Sequence, residues 1–287
     1  MKFRAPAKIN IGLRLLRRLE SGYHEIETFL HTLEWGDEVE LEPSEGIKLD
    51  IRIADDAPRP DAFSEIPSDS SNLAWQAAEA LLKATGLPGV AVTIIKRIPP
   101  GSGMGGGSSN AATVLTGILE LYNLPSESLD FDEMALKLGA DVPFFLKGGF
   151  ALAEGVGENL THIEPAAGLP VIVTFPPVRI STEWAYAESN CTLTGTGQFR
   201  EYQSSYRGLI EMCSRQELVN DLQITAVEAH PEIAVHIAAL NESGARFVSM
   251  TGSGSAVYGL FDNDVDAVAA AGNLAADGFC TVRTILQ

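Results

Sequence analysis

Pro99-Pro-Gly-Ser-Gly-Met-Gly-Gly-Gly-Ser-Ser-Asn-Ala-Ala112 packs five glycines into seven residues, Gly101, Gly103, Gly105, Gly106 and Gly107. An apolar run, Val90-Ala-Val-Thr-Ile-Ile95, precedes it, and a helix-like run from Asn110 to Tyr122 follows. Glycine permits positive φ and lets a ligand approach the peptide groups with no Cβ in the way. Ser108 or Ser109 can cap the helix, whose first N–H groups lack intrahelical partners and carry partial positive charge. A glycine-rich loop feeding a helix N-terminus is a cradle for polyphosphate. A merely flexible surface loop is the weaker reading, because both flanking elements are well patterned.

Gly101, Gly103 and Gly106 also satisfy G-x-G-x-x-G, but Pro99-Pro100 separates them from the strand. The acidic residue at the spacing of a dinucleotide site, Glu120, falls inside the predicted helix. Neither Gly-Lys-Ser nor Gly-Lys-Thr occurs, so the chain carries no P-loop, and His-Arg-Asp and Asp-Phe-Gly are both absent. Three common nucleotide-binding folds are thereby set aside.

The 287 residues are comfortable for two cores, and 45% hydrophobic with 20% charged residues suits a soluble globular protein. Apolar runs such as Leu169–Phe175 are too short to span a bilayer, and Arg14, Arg17 and Arg18 interrupt any signal-peptide core. Cys191, Cys213 and Cys280, odd in number and widely spaced, read as free thiols of a cytoplasmic protein. With 38 acidic against 20 basic residues the net charge is −18, which argues against nucleic acid as a partner. The basic residues that an anionic ligand needs are few and local: Lys8, Lys96 and Arg97.

Around the loop, Lys8–Leu15 alternates as a half-buried strand, as does Asp37–Glu42, and Ser44-Glu-Gly46 reads as a hairpin turn before Ile47–Ile53. After an exposed loop over residues 55–71, Ser70-Ser71 can cap a helix bearing Leu73, Ala77, Ala78, Leu81 and Leu82, stopped by Gly86. Asp130-Phe-Asp-Glu133 has the form of a capping box, opening a helix to Gly139 that leaves Asp141 in the loop beyond. Residues 149–160 read as a crossing into a second domain. Beyond it come a strand (170–175), helices near 203–214 and 229–243, two strands about Thr251, a helix (264–276) and a last strand (279–286). Interleaved helices and antiparallel strands make this an α+β protein.

The glycine loop resembles the second motif of the GHMP kinases, Pro-x-x-x-Gly-Leu-Gly-Ser-Ser-Ala, with Met104 in the Leu position and two extra glycines before the serines. The triple glycine followed by Ser-Ser-Asn-Ala-Ala narrows the resemblance to the branch whose acceptor is 4-diphosphocytidyl-2-C-methylerythritol. Ala5–Leu13 is similar to the first motif, Gly22-Tyr-His24 with Glu27-Thr28 to the cytidine-side signature, Leu138–Phe144 to the catalytic segment, and Thr251–Ala256 to the third motif. The five matches follow one another in the family order.

The resemblance implies a two-domain α+β fold. Residues 1–155 would form a ribosomal-protein-like domain and 156–287 a ferredoxin-like one, with the last strand returning to the first domain and the active site in the cleft between them. It implies ATP-dependent phosphorylation of the acceptor's 2-hydroxyl in the methylerythritol phosphate route to isoprenoid precursors. ATP is the expected co-substrate, Mg²⁺ the expected ion, and the partner a small molecule, with no nucleic acid and no membrane. A GHMP kinase for mevalonate, homoserine or a sugar, or a ligand-binding sensor without turnover, are the competing readings; Gly22-Tyr-His24 disfavours the first and retention of Lys8 and Asp141 the second.

Residue by residue, the resemblance makes Asp141 the base and Lys8 its partner, stabilising charge on the substrate oxygen. Pro99, Pro100, Gly101, Ser102, Gly103, Met104, Gly105, Gly106, Gly107, Ser108 and Ser109 would hold ATP, with Asn72 and Lys96 bordering adenine and Ser108 or Ser109 available to Mg²⁺. Asn10 would bond a methylerythritol hydroxyl, and Tyr23 and His24 would meet cytosine. Tyr186 is the second expected aromatic, with Trp184 competing for that place. Thr251, Gly252 and Gly254 would bring backbone close to the substrate phosphates.

Overall fold

Two long strands, β1 (Lys2–Arg18) and β2 (His24–Pro43), open the chain. The turn between them is closed by a hydrogen bond from Leu19 N to Tyr23 O at 2.8 Å, with Gly22 at φ 89°. The computed structural model describes residues 1–64, 66–125, 130–164, 168–189, 199, 211–213 and 218–287. The chain packs as two compact units that interleave along the sequence. The first is Met1–Ala7, Gly36–Pro100 and Gly105–Gly148; the second is Lys8–Trp35, Gly101–Met104 and Gly149–Gln287.

In the first unit β3 (Gly46–Ile53) runs parallel to β4 (Gly89–Lys96), and β4 pairs antiparallel with β2 from Glu38 opposite Ile95 to Pro43 opposite Val90. Ser44-Glu-Gly46 is therefore no hairpin turn: the chain skips one strand position, and β4 later fills it. Gly36 is needed where β2 passes β1, because a Cβ there would overlap the Ala5 carbonyl oxygen. Helices α1 (Leu73–Thr85) and α2 (Gly106–Leu121) cover one face of these strands. Ala74, Ala77, Ala78 and Leu81 of α1 and Ala111, Val114, Leu115 and Ile118 of α2 share a core with Val39, Leu41, Val92 and Ile94. Each fully buried Leu, Ile or Val there contributes about 1.5–3 kcal/mol.

The cap of α1 is Asn72, whose Oδ1 accepts from Ala74 N at 2.9 Å, and not Ser70 or Ser71; Gly86 ends the helix at φ 72° as expected. The capping role of Asp130 holds, its carboxylate accepting from Glu133 N at 3.0 Å to open α3 (Phe131–Leu138), with Gly139 at its end. Asp141 then stands at the N-cap position of a short helix, α4 (Val142–Lys147).

In the second unit the first half of β2 pairs with β5 (Phe150–Gly155), which pairs with β6 (Asn159–Ile163). Residues 149–160 thus form most of a hairpin, and the chain passes from the first unit into the second at its start, Gly149. A four-stranded antiparallel sheet follows. Its strands are β7 (Pro170–Thr174), β8 (Phe247–Met250), β9 (Val257–Leu260) and β10 (Thr281–Ile285), in the spatial order β10-β7-β9-β8. Helices α5 (Thr182–Ala187), α6 (Asp221–Ala229), α7 (Glu232–Glu242) and α8 (Asp264–Ala276) belong to this unit. Ile172, Leu222, Ile233, Leu240, Met250, Val257 and Leu274 form its core with Leu13 and Leu15 of β1. The helix expected near 203–214 lies, but for 211–213, outside the described residues, and so does Cys191.

Lys8–Leu13 is buried on both faces of β1, not half-buried. Met104 O accepts from Lys8 N at 3.1 Å, and Thr251 Oγ1 accepts from Asn10 N at 3.0 Å, so polar loops cover the face that alternation assigned to solvent. Among the described residues no helix is long and apolar enough to cross a membrane.

Candidate active site

The glycine loop alternates in hand. Gly101, Gly103 and Gly105 have φ of 70°, 76° and 71°, while Ser102 and Met104 between them keep negative φ. Such alternation turns successive N–H groups toward one concave side, a nest for anions. The loop's carbonyls fasten it: Gly101 O accepts from Ser255 N and Ser102 O from Ala256 N, each at 3.2 Å, and Met104 O accepts from Lys8 N. A Cβ on Gly103 would overlap the Thr251 carbonyl oxygen, so the close approach requires glycine.

Helix α2 starts at Gly106, with Gly105 as its N-cap and no side-chain cap. The capping role expected of Ser108 or Ser109 is not realised, because Gly105 in the left-handed region makes the turn earlier. Both serines lie in the first turn instead. The Ser109 hydroxyl is fully buried and has no hydrogen-bond partner among the described residues.

In the second unit a polar network surrounds β1. Lys8 Nζ donates to Asn10 Oδ1 at 2.5 Å, Asn10 Nδ2 donates to Thr28 Oγ1 at 3.0 Å, and Tyr258 donates its hydroxyl proton to Asn10 O at 2.9 Å. All four polar atoms of Asn10 therefore have protein partners, its backbone N bonding Thr251 Oγ1. Asn220 holds the third-motif loop, donating from Nδ2 to Met250 O and Gly252 O, both at 2.8 Å, while its Oδ1 caps α6 through Leu222 N at 3.0 Å. With Gly252 at φ 55°, a Cβ there would lie 3.0 Å from Asn10 Oδ1 and 3.4 Å from Lys8 Nζ. Lys8, Asn10, Thr251 and Gly252 are thus brought together.

On the cytidine-side signature, Tyr23 is 67% exposed at the turn. The His24 ring lies 5.6 Å from that of Tyr186, tilted by 30°, whereas Trp184 meets His230 edge-on at 5.7 Å. Tyr186, not Trp184, shares a cluster with His24. Burial, assisted by the Arg18 charge, pushes the His24 imidazole below its ordinary pKa. The shift favours the neutral imidazole, which carries one donor and one acceptor.

In the first unit Asp141, with φ −83° and ψ −14°, does not cap α4 with its side chain. Lys96 is engaged in a buried cluster: its ammonium pairs with Asp37 and donates to Asn110 Oδ1 at 2.9 Å. Asp37 also accepts from Arg97 N at 2.6 Å, Ile98 N at 2.8 Å and Asn110 Nδ2 at 3.0 Å. Asn72, besides capping α1, donates to Pro67 O at 2.7 Å. Asp37, Thr28, Asn220 and Tyr258 were not singled out as site residues from sequence. Only Thr28 stood within a recognised motif, and the partners of the others are remote in the chain. Among the described residues no group of three His, Cys, Asp or Glu side chains is placed to hold a metal ion.

The family models of the GHMP kinases N terminal domain and of GHMP kinases C terminal match residues 72–149 and 203–278. A 4-diphosphocytidyl-2-C-methyl-D-erythritol kinase of Citrifermentans bemidjiense is 39% identical over 287 residues, covering 98% of each chain. The chain belongs to the GHMP kinases. A kinase with the same name from Geobacter sulfurreducens is 36% identical to this GHMP kinase over 288 residues, 99% of each chain. A crystal structure of a 4-(cytidine 5'-diphospho)-2C-methyl-D-erythritol kinase matches with TM-score 0.80 and 34% identity, covering all of both chains. A homoserine kinase from Cytophaga hutchinsonii, at TM-score 0.68 and 18% identity, shares the fold. This GHMP kinase accordingly has the family's two-domain fold of mixed helix and sheet.

Proposed function

We propose that this GHMP kinase transfers the γ-phosphoryl group of ATP to the 2-hydroxyl of 4-diphosphocytidyl-2-C-methylerythritol, a step in isoprenoid precursor synthesis. The observation that carries the reading is likeness over nearly the whole chain to kinases of that name, at 36–39% identity. The site residues agree in kind. The nest of Gly101, Gly103 and Gly105 and the first turn of α2 offer N–H groups to phosphate oxygens. His24 and Tyr186 supply an aromatic cluster with a polar edge for cytosine.

In the transfer, the 2-hydroxyl oxygen forms a bond to the γ-phosphorus while the bond from that phosphorus to the bridging oxygen of ADP breaks. The hydroxyl proton passes to the Asp141 carboxylate. Lys8, its ammonium aimed by Asn10, stabilises negative charge on the attacking oxygen. The transition state is loose and its charge spread over the phosphoryl oxygens, so positioning and electrostatics supply most of the acceleration. Mg²⁺ fits here: it takes oxygen ligands and needs few from protein, and the buried Ser109 hydroxyl has no protein partner among the described residues. Ser109 or Ser108, with the nucleotide's own phosphates, would hold the ion, which neutralises phosphate charge when bound. The acidic net charge of −18 disfavours nucleic acid, and the cytoplasm is the location that goes with this reading.

The test is a coupled ADP-release assay with Mg²⁺ and four acceptors: 4-diphosphocytidyl-2-C-methylerythritol, mevalonate, homoserine and galactose. Turnover is expected with the first alone. Equal or better turnover of another acceptor overturns the assignment.

A further inference from the structure

We propose that Thr28 is a positioning residue for phosphoryl transfer: its hydroxyl sets the orientation of the Asn10 amide and thereby aims the Lys8 ammonium. The proposal rests on the reading that Lys8 takes part in the transfer.

The argument is one of hydrogen-bond polarity. A threonine hydroxyl has one proton to donate. Thr28 Oγ1 lies 2.5 Å from the Gly12 carbonyl oxygen, which can only accept, so the proton is committed there. Toward Asn10, 3.0 Å away, Thr28 can then act only as acceptor, and the amide must present Nδ2 to it. That choice turns Oδ1 to Lys8 Nζ, where an acceptor is required. The reverse orientation would set the amide NH₂ against the ammonium, donor to donor, and leave Thr28 Oγ1 facing an acceptor it cannot serve.

The relay is rigid and dry. Thr28 is 1% exposed, Asn10 3% and Lys8 4%, so bulk water cannot substitute for a missing link. Its far end is fixed by backbone. Gly12 bends β1 at φ 78°, and a Cβ there would lie 2.9 Å from Phe199 and 3.1 Å from Leu218, so the carbonyl's place depends on glycine. Thr251 Oγ1 and the Tyr258 hydroxyl bind the Asn10 backbone N and O. Thr251 Oγ1 also reaches Asn10 Oδ1 at 3.4 Å, so that Thr28 is the partner that engages the Nδ2 end of the amide.

The experiment compares Thr28→Val, which keeps the shape and deletes the hydroxyl, with Thr28→Ser, which keeps the hydroxyl. For Thr28→Val, kcat with the cytidine substrate is expected to fall about tenfold, the worth of one buried hydrogen bond, with KM for ATP within about twofold of wild type. Thr28→Ser should restore kcat. In an Asn10→Ala background Thr28→Val should add no further loss, because Thr28 acts through Asn10. A merely structural role would instead lower the unfolding midpoint and leave kcat per folded enzyme unchanged. If Thr28→Val does not fold, Thr28→Cys, a weak donor of similar size, replaces it with the same expectations. Wild-type kcat in the hydroxyl-free variant, failure of Thr28→Ser to rescue, or additive losses with Asn10→Ala each overturn the proposal. Lys8→Met separates this from the underlying reading. A normal rate in that variant removes the role of Lys8 itself, whereas a slow Lys8→Met beside a normal Thr28→Val removes Thr28 alone.

Discussion

Lys8 and Lys96 are both 4% exposed, and each ends in a polar cluster that includes an asparagine, yet the two asparagines hold their lysines differently. Lys96, in the first unit, is matched by the fully buried Asp37 carboxylate, with Asn110 bonded to both. That contact neutralises the ammonium where it stands and ties the end of β4 to α2. Lys8, in the second unit, donates to the neutral amide of Asn10, a contact that fixes direction without cancelling charge. Asp37 braces Lys96 against α2, whereas Asn10 sets the direction of the Lys8 ammonium, which the proposed transfer uses. The difference makes opposite predictions for the two residues.

The largest effect should fall on rate. Asp141→Asn preserves shape and removes the proposed base, so kcat should drop by about 10²–10⁴ with binding of both substrates retained. Lys8→Ala should also slow the chemical step, and the proposed mechanism, in which the two residues act together, expects the double variant to be little worse than the worse single one. Coupled ADP release measures all three. Additive losses would separate the two residues, and a near-wild-type Asp141→Asn would leave the mechanism without a base.

The Lys96 cluster should answer in stability instead. Asp37→Ala leaves a buried ammonium without its carboxylate and should cost about 3–5 kcal/mol in urea unfolding. Replacing the pair together, Asp37→Leu with Lys96→Met, should recover part of that loss, because the desolvation of both charges disappears. If Lys96→Met left stability intact and mainly weakened ATP, Lys96 would belong with Lys8 and the contrast would collapse.

Sequence made the glycine loop legible because Gly-Ser-Gly-Met-Gly alternates in the hand that its backbone adopts, and only glycine takes positive φ without strain. The end of α1 and both ends of α3 were also local matters, written in Gly86, Asp130 and Gly139. What escaped was set by distant partners. Asp37 meets Lys96 across 59 positions and Asn220 meets Gly252 across 32, spacings that no periodicity records. The place of β3 depended on β4, a strand formed 36 residues further on, so Ser44-Glu-Gly46 looked like a hairpin until its neighbour was known. The cap of α2 went to Gly105 over Ser108 and Ser109 because backbone hand outweighed side-chain preference.

His31, a buried imidazole, offers a third kind of buried ionisable group and sharpens the comparison. It is fully buried on β2, its ring stacked 5.2 Å from Phe150, and Nε2 has no hydrogen-bond partner among the described residues. Burial pushes its pKa down to about 4, against an ordinary 6.5. The unfolded chain therefore binds the proton more readily between those values, and the stability of the neutral ring is full above pH 6.5 and lost as pH falls toward 4. The linked loss is about 3 kcal/mol between pH 7 and pH 4. It is read as the difference in urea stability between wild type and His31→Leu across that window. An identical pH dependence in the two proteins would show that His31 is not the group responsible.

The smallest expected effect lies at Tyr23, the one exposed aromatic of the proposed substrate residues, and it tests whether that part of the second unit binds rather than braces. At 67% exposure the ring has little packing to lose, so Tyr23→Ala should leave urea stability nearly unchanged. If the ring stacks on cytosine, the cytidine substrate should weaken by about 1–3 kcal/mol, as on other aromatic platforms. ATP affinity should barely move, because the proposed nucleotide cradle is the glycine loop and the first turn of α2. Titration of each ligand separately decides the matter. A matched loss for both would mean that Tyr23 supports the turn at Gly22, and the cytosine contact would then have to be sought in His24 and Tyr186 alone.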